Sequence, residues 1–247
     1  MDAIERGIVQ TSERLVERFP DVSAIGLAVA GFLDSDRQTV RFAPHLPWRD
    51  ANVVKRLSLL LPCPLQLEHD ANSAAWGEYR FGAARGADNW VLFALGTGIG
   101  GAMMQGGEIY RGAYGTAPEF GHLTVVPDGR PCSCGKRGCL ERYCSGTALV
   151  TTAQELSESG RYFSRLTDGL VAGSVTGTDV VSAARQGDEL ALAAIDDFAT
   201  WLGRGLSMVG DVFDPELIVI GGGVASASDL YLDKAKAEFA RNLTGAG

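Results

Sequence analysis

The stretch from Glu119 to Glu141 places one histidine and three cysteines in the order E-x2-H-x9-C-x-C-x4-C-x-E. The four candidate ligands are His122, Cys132, Cys134 and Cys139. One imidazole and three thiolates complete the tetrahedral shell of a Zn²⁺ ion and leave no position open for a reactive water. The spacing differs from that of a zinc finger, and the alternative is a set of free thiols or a redox pair. We predict a structural zinc site whose metal helps to fold the loop.

The two acids that flank these ligands, Glu119 and Glu141, suggest a second role for the loop. An acid in a loop is by default a solvated surface charge. Their position beside metal ligands favours a binding role instead, because carboxylates bind neutral polyols through charge-assisted hydrogen bonds. We therefore predict a small-molecule site on a loop that the metal holds rigid.

Length and composition narrow the class of protein. The chain has 247 residues, 46% of them hydrophobic, which is enough for one large domain or two smaller ones. Its net charge of −8 argues against a nucleic-acid or anionic-membrane partner. Because the chain lacks both a long apolar run and a secretory signal, we expect a cytoplasmic protein. Three of the five cysteines fall within eight residues, as in a metal site, which leaves Cys63 and Cys144 for ordinary packing.

Hydrophobic periodicity predicts alternating strands and helices, and hence an α/β architecture. Helices are predicted over residues 4–19, 51–61, 71–81, 147–156, 178–185 and 189–213. Strands are predicted over residues 24–30, 39–42, 65–68, 90–95 and 217–220, with a hairpin over 102–110. The small, flexible stretch at 82–88 indicates a lobe boundary. We predict a partial small lobe over residues 1–84 and a large lobe over 85–247 that carries the metal loop and a nucleotide site.

Two glycine-rich turns are candidate phosphate sites. The first, Gly96-x-Gly98-x-x-Gly101, matches a dinucleotide fingerprint but precedes a predicted strand and turn, whereas a Rossmann loop opens a helix. Backbone N–H groups approach anions closely where no Cβ intervenes, so this turn predicts phosphate contacts, with a plain tight turn as the alternative. The second, Gly221 to Gly223, follows a predicted buried strand, a position where α/β sheets bind ligands. A simple strand-to-helix connection fits it nearly as well.

Asp70 stands where a predicted strand gives way to a predicted helix. Aspartate is a favoured N-cap residue, which is the structural interpretation. In the functional interpretation the carboxylate faces a cleft and accepts a hydroxyl proton as the substrate oxygen attacks phosphorus. The residues alone support both interpretations equally.

Taken together, these segments resemble the ROK family of sugar kinases, in particular its actinobacterial ATP-dependent glucokinases. The resemblance rests on Glu119-Phe-Gly-His122 together with Cys132-Ser-Cys-Gly-Lys-Arg-Gly-Cys139-Leu-Glu141. It rests also on Asp70-Ala-Asn-Ser-Ala-Ala-Trp-Gly-Glu78, Leu95-Gly-Thr-Gly-Ile-Gly-Gly101 and Val219-Ile-Gly-Gly-Gly223, in the family's order. It extends from about Ser23 to near the end of the chain.

This resemblance implies an actin-like ATPase, ribonuclease H-like fold with two lobes that close on a sugar. It implies a hexose and ATP with Mg²⁺ as small-molecule partners, structural Zn²⁺, and transfer of the γ-phosphoryl group to the 6-hydroxyl of glucose. The alternatives are an N-acetylhexosamine or mannose kinase, polyphosphate as the donor, or a non-catalytic sugar-binding relative. We expect a homo-oligomer, either a dimer or a tetramer.

The resemblance also implies roles for individual residues. Asp70 is implied to be the general base. The implied sugar contacts are Glu119, His122, Glu141, His69 and Gly31, with His122 also a zinc ligand. The implied ATP contacts are Gly96, Thr97, Gly98 and Gly101 on the phosphates and Gly221, Gly222 and Gly223 on the nucleoside.

The chain departs from the family's pattern in three places. Histidines replace the family's asparagines at His45 and His69, so we expect altered recognition of sugar hydroxyls. No Asp-x-Gly-Gly-Thr phosphate segment precedes Ala24, and the end is short by comparison with the family. We therefore expect a fold incomplete at both ends and weak or absent activity.

Overall fold

The computed structural model describes residues 3–43 and 46–245. The helices are α1 (Ala3–Arg18), α2 (Val53–Leu57), α3 (Asp70–Phe81), α4 (Gly146–Glu158), α5 (Thr167–Val171), α6 (Gly177–Arg185), α7 (Glu189–Phe213) and α8 (Ser228–Asn242). The strands are β1 (Ile25–Val29), β2 (Phe32–Leu33), β3 (Thr39–Phe42), β4 (Arg49–Asn52), β5 (Leu65–His69), β6 (Trp90–Leu95), β7 (Ile99–Gln105), β8 (Glu108–Ile109) and β9 (Leu217–Gly221). The predicted sugar-recognition residue His45 lies outside the described residues.

Local periodicity located most of these elements, but the helix predicted over 51–61 is confirmed only over Val53–Leu57. The chain first forms β4, in which Ala51 pairs with Val40 and Asn52 with Thr39. Helix α2 begins only at Val53, because the Asn52 side chain caps it by accepting a hydrogen bond from the Lys55 amide at 2.8 Å. Strand pairing over a dozen residues therefore overrides the local helical pattern.

Contacts between residues divide the chain into two compact units. The first contains Met1–Asp88 and Ala102–Pro118, and the second contains Asn89–Gly101 and Glu119–Gly247. Residues 102–118 thus belong with the N-terminal unit, although they lie far along the sequence. The two predicted lobes, 1–84 and 85–247, stay a prediction.

In the first unit, β1 and β5 pair in parallel from Ile25↔Leu65 to Val29↔His69. A separate antiparallel sheet has the order β2-β3-β4. The core of this unit consists of Trp48 and of apolar side chains from β1, β2, β3, β5 and α2, among them Val29, Leu33, Val40, Val53, Leu57, Leu65 and Leu67. Because α3 starts directly after β5, the chain turns into α3 at the carboxyl end of the β1–β5 pair.

In the second unit, β6 and β9 pair in parallel from Trp90↔Leu217 to Ala94↔Gly221. Parallel pairing brings the carboxyl ends of both strands to one edge, so the Gly96 turn and the Gly221–Gly223 turn lie side by side. Helix α7, the longest at 25 residues, packs along α8, α4 and α6. Among the described helices, none has the length and apolar character needed to cross a bilayer.

Candidate functional site

The four predicted metal ligands converge. Ligand atoms of His122, Cys132, Cys134 and Cys139 all lie within 4.8 Å of one another. Cys132 Sγ is 3.6 Å from His122 Nδ1, and Cys134 Sγ is 3.6 Å from Cys139 Sγ. Zinc bonds of about 2.3 Å to sulfur and about 2.0–2.1 Å to nitrogen require tetrahedron edges of about 3.8 Å (S–S) and about 3.6 Å (S–N). The donor set therefore fits Zn²⁺ in both chemistry and spacing.

The loop that carries these ligands folds back on itself. Isolated bridges pair Pro131 with Arg137 and Thr124 with Cys139. Cys139 is the N-cap of a short 3-10 turn over Leu140–Arg142, which carries Glu141 directly after the last candidate ligand. The folded loop brings the ligands from both of its arms into one cluster.

Arg130 attaches this loop to the helical layer. Its guanidinium donates to the Arg142 carbonyl at 2.7 Å and to Glu155 Oε1 at 3.0 Å, and it lies 4.7 Å from the centre of the Tyr143 ring. The Tyr143 hydroxyl in turn accepts a hydrogen bond from the Arg130 amide at 2.8 Å. The loop is thus fixed to α4 by direct side-chain contacts with Glu155.

The protonation of the thiols links metal binding to pH. Burial raises the pKa of Cys132 to about 12 and also raises the pKa of Cys139. At Cys134, burial opposes ionisation, but hydrogen bonds from the Lys136 amide and from the neighbouring thiols lower the pKa overall. Because thiolates are the metal ligands, uptake of a cation releases protons from this cluster, and the affinity falls as the pH falls.

The two predicted sugar-binding acids lie beside the metal cluster. Glu119 Oε2 is 4.0 Å from His122 Nε2. Glu141 Oε1 is 3.9 Å from His122 Nδ1 and 3.3 Å from Cys132 Sγ, and the Glu141 side chain is only 15% exposed. The two ring nitrogens of His122 therefore face different groups, the thiol of Cys132 on one side and Glu119 on the other.

Glu141 also reaches the first glycine-rich turn. Its Oε2 accepts a hydrogen bond from the Ile99 amide at 3.4 Å. A Cβ at Gly98 would lie 2.5 Å from the same oxygen, whereas a Cβ at Gly96 would meet nothing within 4 Å. The missing side chain at Gly98 thus makes room for the carboxylate of Glu141. A phosphate contact at Gly98 stays a prediction.

A cavity of about 690 Å³ lies at the same edge of the β6–β9 pair. Of the predicted ATP contacts, Gly96, Thr97 and Gly223 line it. The other predicted contacts, Gly98, Gly101, Gly221 and Gly222, are not among its lining residues. The turn is held there because Gly96 O accepts a hydrogen bond from the Gly146 amide at 2.8 Å.

Sequence reasoning missed the remainder of this cavity. The first residues of α4 (Gly146, Thr147) and of α6 (Gly177, Thr178) line it, together with Thr176 and Arg185. Helix N-termini present amide donors and the positive end of the helix dipole, which suits phosphate oxygens. The sequence carries a signal for the two helix starts, because Ser145 and Thr176 each precede an apolar helical pattern as N-cap residues, but it carries none for their meeting at this cavity.

Asp70 lies in the first unit, at the corner between β5 and α3. Its Oδ1 accepts a hydrogen bond from the Ala71 amide at 2.8 Å and is 3.3 Å from His69 Nε2. His69 occupies the N-cap position without a side-chain capping bond, so the N-cap interpretation of Asp70 is wrong. The Asp70 side chain is 53% exposed and is available to a ligand.

Gly31 belongs to the same unit and follows β1. A Cβ at Gly31 would lie 2.8 Å from Ala43 Cβ, so close packing of the chain already explains the absence of a side chain. Its contact with a sugar stays a prediction, as does that of His69.

Comparison with known proteins yields a consistent group of relatives. A model of the ROK family matches residues 1–246. A glucokinase of Streptomyces coelicolor is 39% identical over 229 residues, covering 91% of this chain and 72% of that protein. A xylose repressor of Bacillus subtilis is 31% identical over 214 residues, covering 87% of this chain and 52% of the repressor. The crystal structure of a ROK family glucokinase from Streptomyces griseus with glucose and AMPPNP is 39% identical, with a TM-score of 0.82, covering 97% of this chain and 79% of that one.

Proposed function

Because the chain belongs to the ROK family and has the actin-like ATPase fold of its sugar kinases, we propose that it transfers the γ-phosphoryl group of ATP to the 6-hydroxyl of glucose. The observation that carries the proposal is the grouping of Glu119, His122 and Glu141 beside the cysteine cluster. The relative from Streptomyces griseus, crystallised with glucose and AMPPNP, supports the choice of both substrates.

Asp70 is the general base of this proposal. A carboxylate accepts the proton of a hydroxyl as the hydroxyl oxygen attacks phosphorus, which makes the oxygen a better nucleophile. The hydrogen bond from the Ala71 amide engages Oδ1 and leaves Oδ2 as the acceptor for the substrate proton. Half of the side chain is exposed, so a sugar hydroxyl has access to it.

Glu119, His122 and Glu141 bind the sugar hydroxyls. A hydrogen bond to a charged group contributes about 1.5–3 kcal/mol, and an epimer that fails to make it leaves a buried group unpaired. Such a penalty is largest at Glu141, the less exposed of the two acids. His69 and Gly31 are further proposed sugar contacts.

The cavity beside the Gly96 turn accepts the nucleotide, with Mg²⁺ carried in on ATP. The phosphates contact Gly96, Thr97, Gly98 and Gly101, and the nucleoside contacts Gly221, Gly222 and Gly223. His122, Cys132, Cys134 and Cys139 hold a structural Zn²⁺, which supplies rigidity to the loop. This chain's own carboxylates and imidazole make the sugar contacts.

A second candidate function follows from the 31% identity to the xylose repressor. In that case the same polar group binds a sugar without phosphorylating it. The two functions make opposite predictions for turnover and the same prediction for binding, so an assay has to measure both.

Turnover is measured by a coupled assay with ATP or polyphosphate and with glucose, mannose or N-acetylglucosamine; glucose binding is measured by calorimetry. We expect weak ATP-dependent turnover that is highest with glucose, and loss of that turnover with binding retained in Asp70→Asn. Turnover that survives Asp70→Asn would remove Asp70 from the role of base. Glucose binding by the wild-type chain with no turnover on any sugar would favour the repressor-like function.

A further inference from the structure

Glu68, the residue before the last of β5, bonds to four donors at once. Its Oε1 accepts hydrogen bonds from the His69 amide and from Asn72 Nδ2, both at 3.0 Å. Its Oε2 accepts from Arg111 Nη2 at 2.5 Å and from Arg37 Nη1 at 3.4 Å. Both carboxylate oxygens are therefore saturated, and all of these residues belong to the first unit.

This carboxylate is held in its charged form. Burial raises its pKa, but the hydrogen bonds from Arg111, Asn72 and the His69 amide outweigh burial and bring the pKa of Glu68 below its usual range. The side chain is 21% exposed, and Asn72 is buried. Arg111 is itself fixed, because its Nη1 donates to the Ile109 carbonyl at 3.1 Å.

The contacts of Glu68 lie on both sides of Asp70 in the chain. The His69 amide precedes Asp70, and Asn72 follows it by two residues. Ser73 adds a third bond, from its Oγ to the His69 carbonyl at 3.0 Å. The corner that carries Asp70 is thus tied to Glu68 from both directions, and Glu68 is tied to Arg111, 43 residues further along the chain.

We propose that Glu68 is a positioning residue that holds the β5–α3 corner in one conformation, with Arg111 as its anchor, so that Asp70 presents its carboxylate to the substrate in one orientation. The inference rests on the proposed function, in which Asp70 is the base. A displacement of a catalytic group by about 1 Å costs about 100-fold in rate, so the corner needs such restraint.

A purely structural role for Glu68 is the competing explanation, and the chain offers a matched control for it. Glu5 on α1 is also a buried carboxylate in the first unit, and it is ion-paired to Arg56 on α2. Its side chain is 5% exposed. Removal of Glu5 breaks an ion pair of a buried carboxylate that does not involve Asp70 or the residues that bond to Glu68, so it reports the general cost of losing such a carboxylate in this unit.

The first measurement is hydrogen exchange followed by mass spectrometry on wild type, Glu68→Ala, Glu68→Gln and Glu5→Ala. We expect exchange in peptides that span residues 68–73 to be about tenfold faster in Glu68→Ala, with little change there in Glu5→Ala. Glutamine keeps one acceptor for the His69 amide and Asn72, so Glu68→Gln should show a smaller effect. Two results found together in the peptides that span residues 68–73 would overturn the inference. Glu68→Gln would exchange there at the wild-type rate, and Glu68→Ala would exchange there at the same rate as Glu5→Ala.

The second measurement separates kcat from KM for glucose and ATP. We expect Glu68→Ala to lower kcat by about 10- to 100-fold with KM changed by less than about threefold, partial rescue in Glu68→Gln, and a near-normal kcat in Glu5→Ala. A normal kcat in a variant whose corner exchanges faster refutes the positioning role. If the wild type phosphorylates no sugar, the proposed function fails, and hydrogen exchange alone decides whether Glu68 holds the corner.

Discussion

Replacement of Gly138 by alanine tests how the metal loop is built. Gly138 precedes the ligand Cys139 and has φ +75°, and an added Cβ would overlap the Val126 carbonyl. Gly135 lies in the same loop with φ +91°, but a Cβ there would meet nothing within 4 Å. The two substitutions therefore share the backbone strain and differ only in the overlap.

The expected magnitudes follow from these contacts. A left-handed conformation costs an L-residue about 1–2 kcal/mol, which is the whole effect expected for Gly135→Ala. At Gly138 the overlap also disturbs three backbone hydrogen bonds: Val125 and Val126 donate to Gly138 O at 2.8 and 3.2 Å, and Gly138 donates to Arg130 O at 2.8 Å. At about 0.5–1.5 kcal/mol each, their loss brings Gly138→Ala to about 2.5–6.5 kcal/mol.

Two assays measure this difference. Urea denaturation at fixed zinc concentration gives the free energy of unfolding of each variant, and competition with a chromophoric chelator gives the zinc affinity. We expect Gly138→Ala to be at least about 1.5 kcal/mol less stable than Gly135→Ala and to bind zinc at least about tenfold more weakly, since about 1.4 kcal/mol corresponds to a tenfold change.

Equal stability of the two variants would refute this argument. It would mean that the loop accommodates a Cβ at position 138 without loss of its backbone bonds. Equal loss of zinc affinity in both variants would show that strain at either glycine, and not contact with Val126, controls the geometry of the ligands.

Three further predictions concern the rest of the site. Gly98→Ala should raise the KM for glucose as well as that for ATP, because its Cβ would displace Glu141. Gly96→Ala, at a turn that lines the cavity and away from Glu141, should raise the KM for ATP alone; identical kinetic effects of the two variants would contradict this assignment. Folding lowers the pKa of Glu68, so the stability that Glu68 contributes is complete above the ordinary glutamate pKa of about 4.3 and is lost as the pH falls through its pKa in the folded protein. Glu68→Gln should therefore flatten the acid side of a plot of the free energy of unfolding against pH. An unchanged slope would argue against this role. Removal of zinc by a chelator should speed hydrogen exchange in residues 119–145 and leave exchange in residues 25–69 unchanged. The chelator should remove zinc faster at lower pH, because the thiols regain protons. A uniform change in exchange across the chain would contradict a local structural metal.

The hydrophobic pattern of the sequence predicted a helix or strand correctly where the residues of that element alone determine it. The predicted helix over 189–213 coincides with α7, whose first turn is capped by the Asp188 side chain. The predicted strand over 90–95 coincides with β6, a continuous apolar run. Strand β4 was missed because its sequence, Arg-Asp-Ala-Asn, has no strand pattern, and only its pairing with β3 makes it a strand.

The candidate site divides in the same way. The four candidate metal ligands were predictable because donor chemistry and spacing lie within 18 residues of sequence, and the structure confirms that they converge. The contributions of Gly146 and Thr176 to the cavity were not predictable, because they depend on where α4 and α6 begin relative to the β6–β9 edge. The same holds for Arg111, which reaches Glu68 from 43 residues away.

The sequence by itself determined which chemistry is present: a zinc-type ligand set, two flanking acids, an aspartate after a strand and two glycine-rich turns. Each of these is a local property of residue type and spacing. Only the tertiary structure decided which groups meet, placing Glu141 against Gly98, the Gly96 turn against the start of α4, and Arg111 against Glu68. These contacts depend on the pairing of strands distant in sequence and on the backbone that carries Arg111 to Glu68, and no local periodicity encodes that pairing.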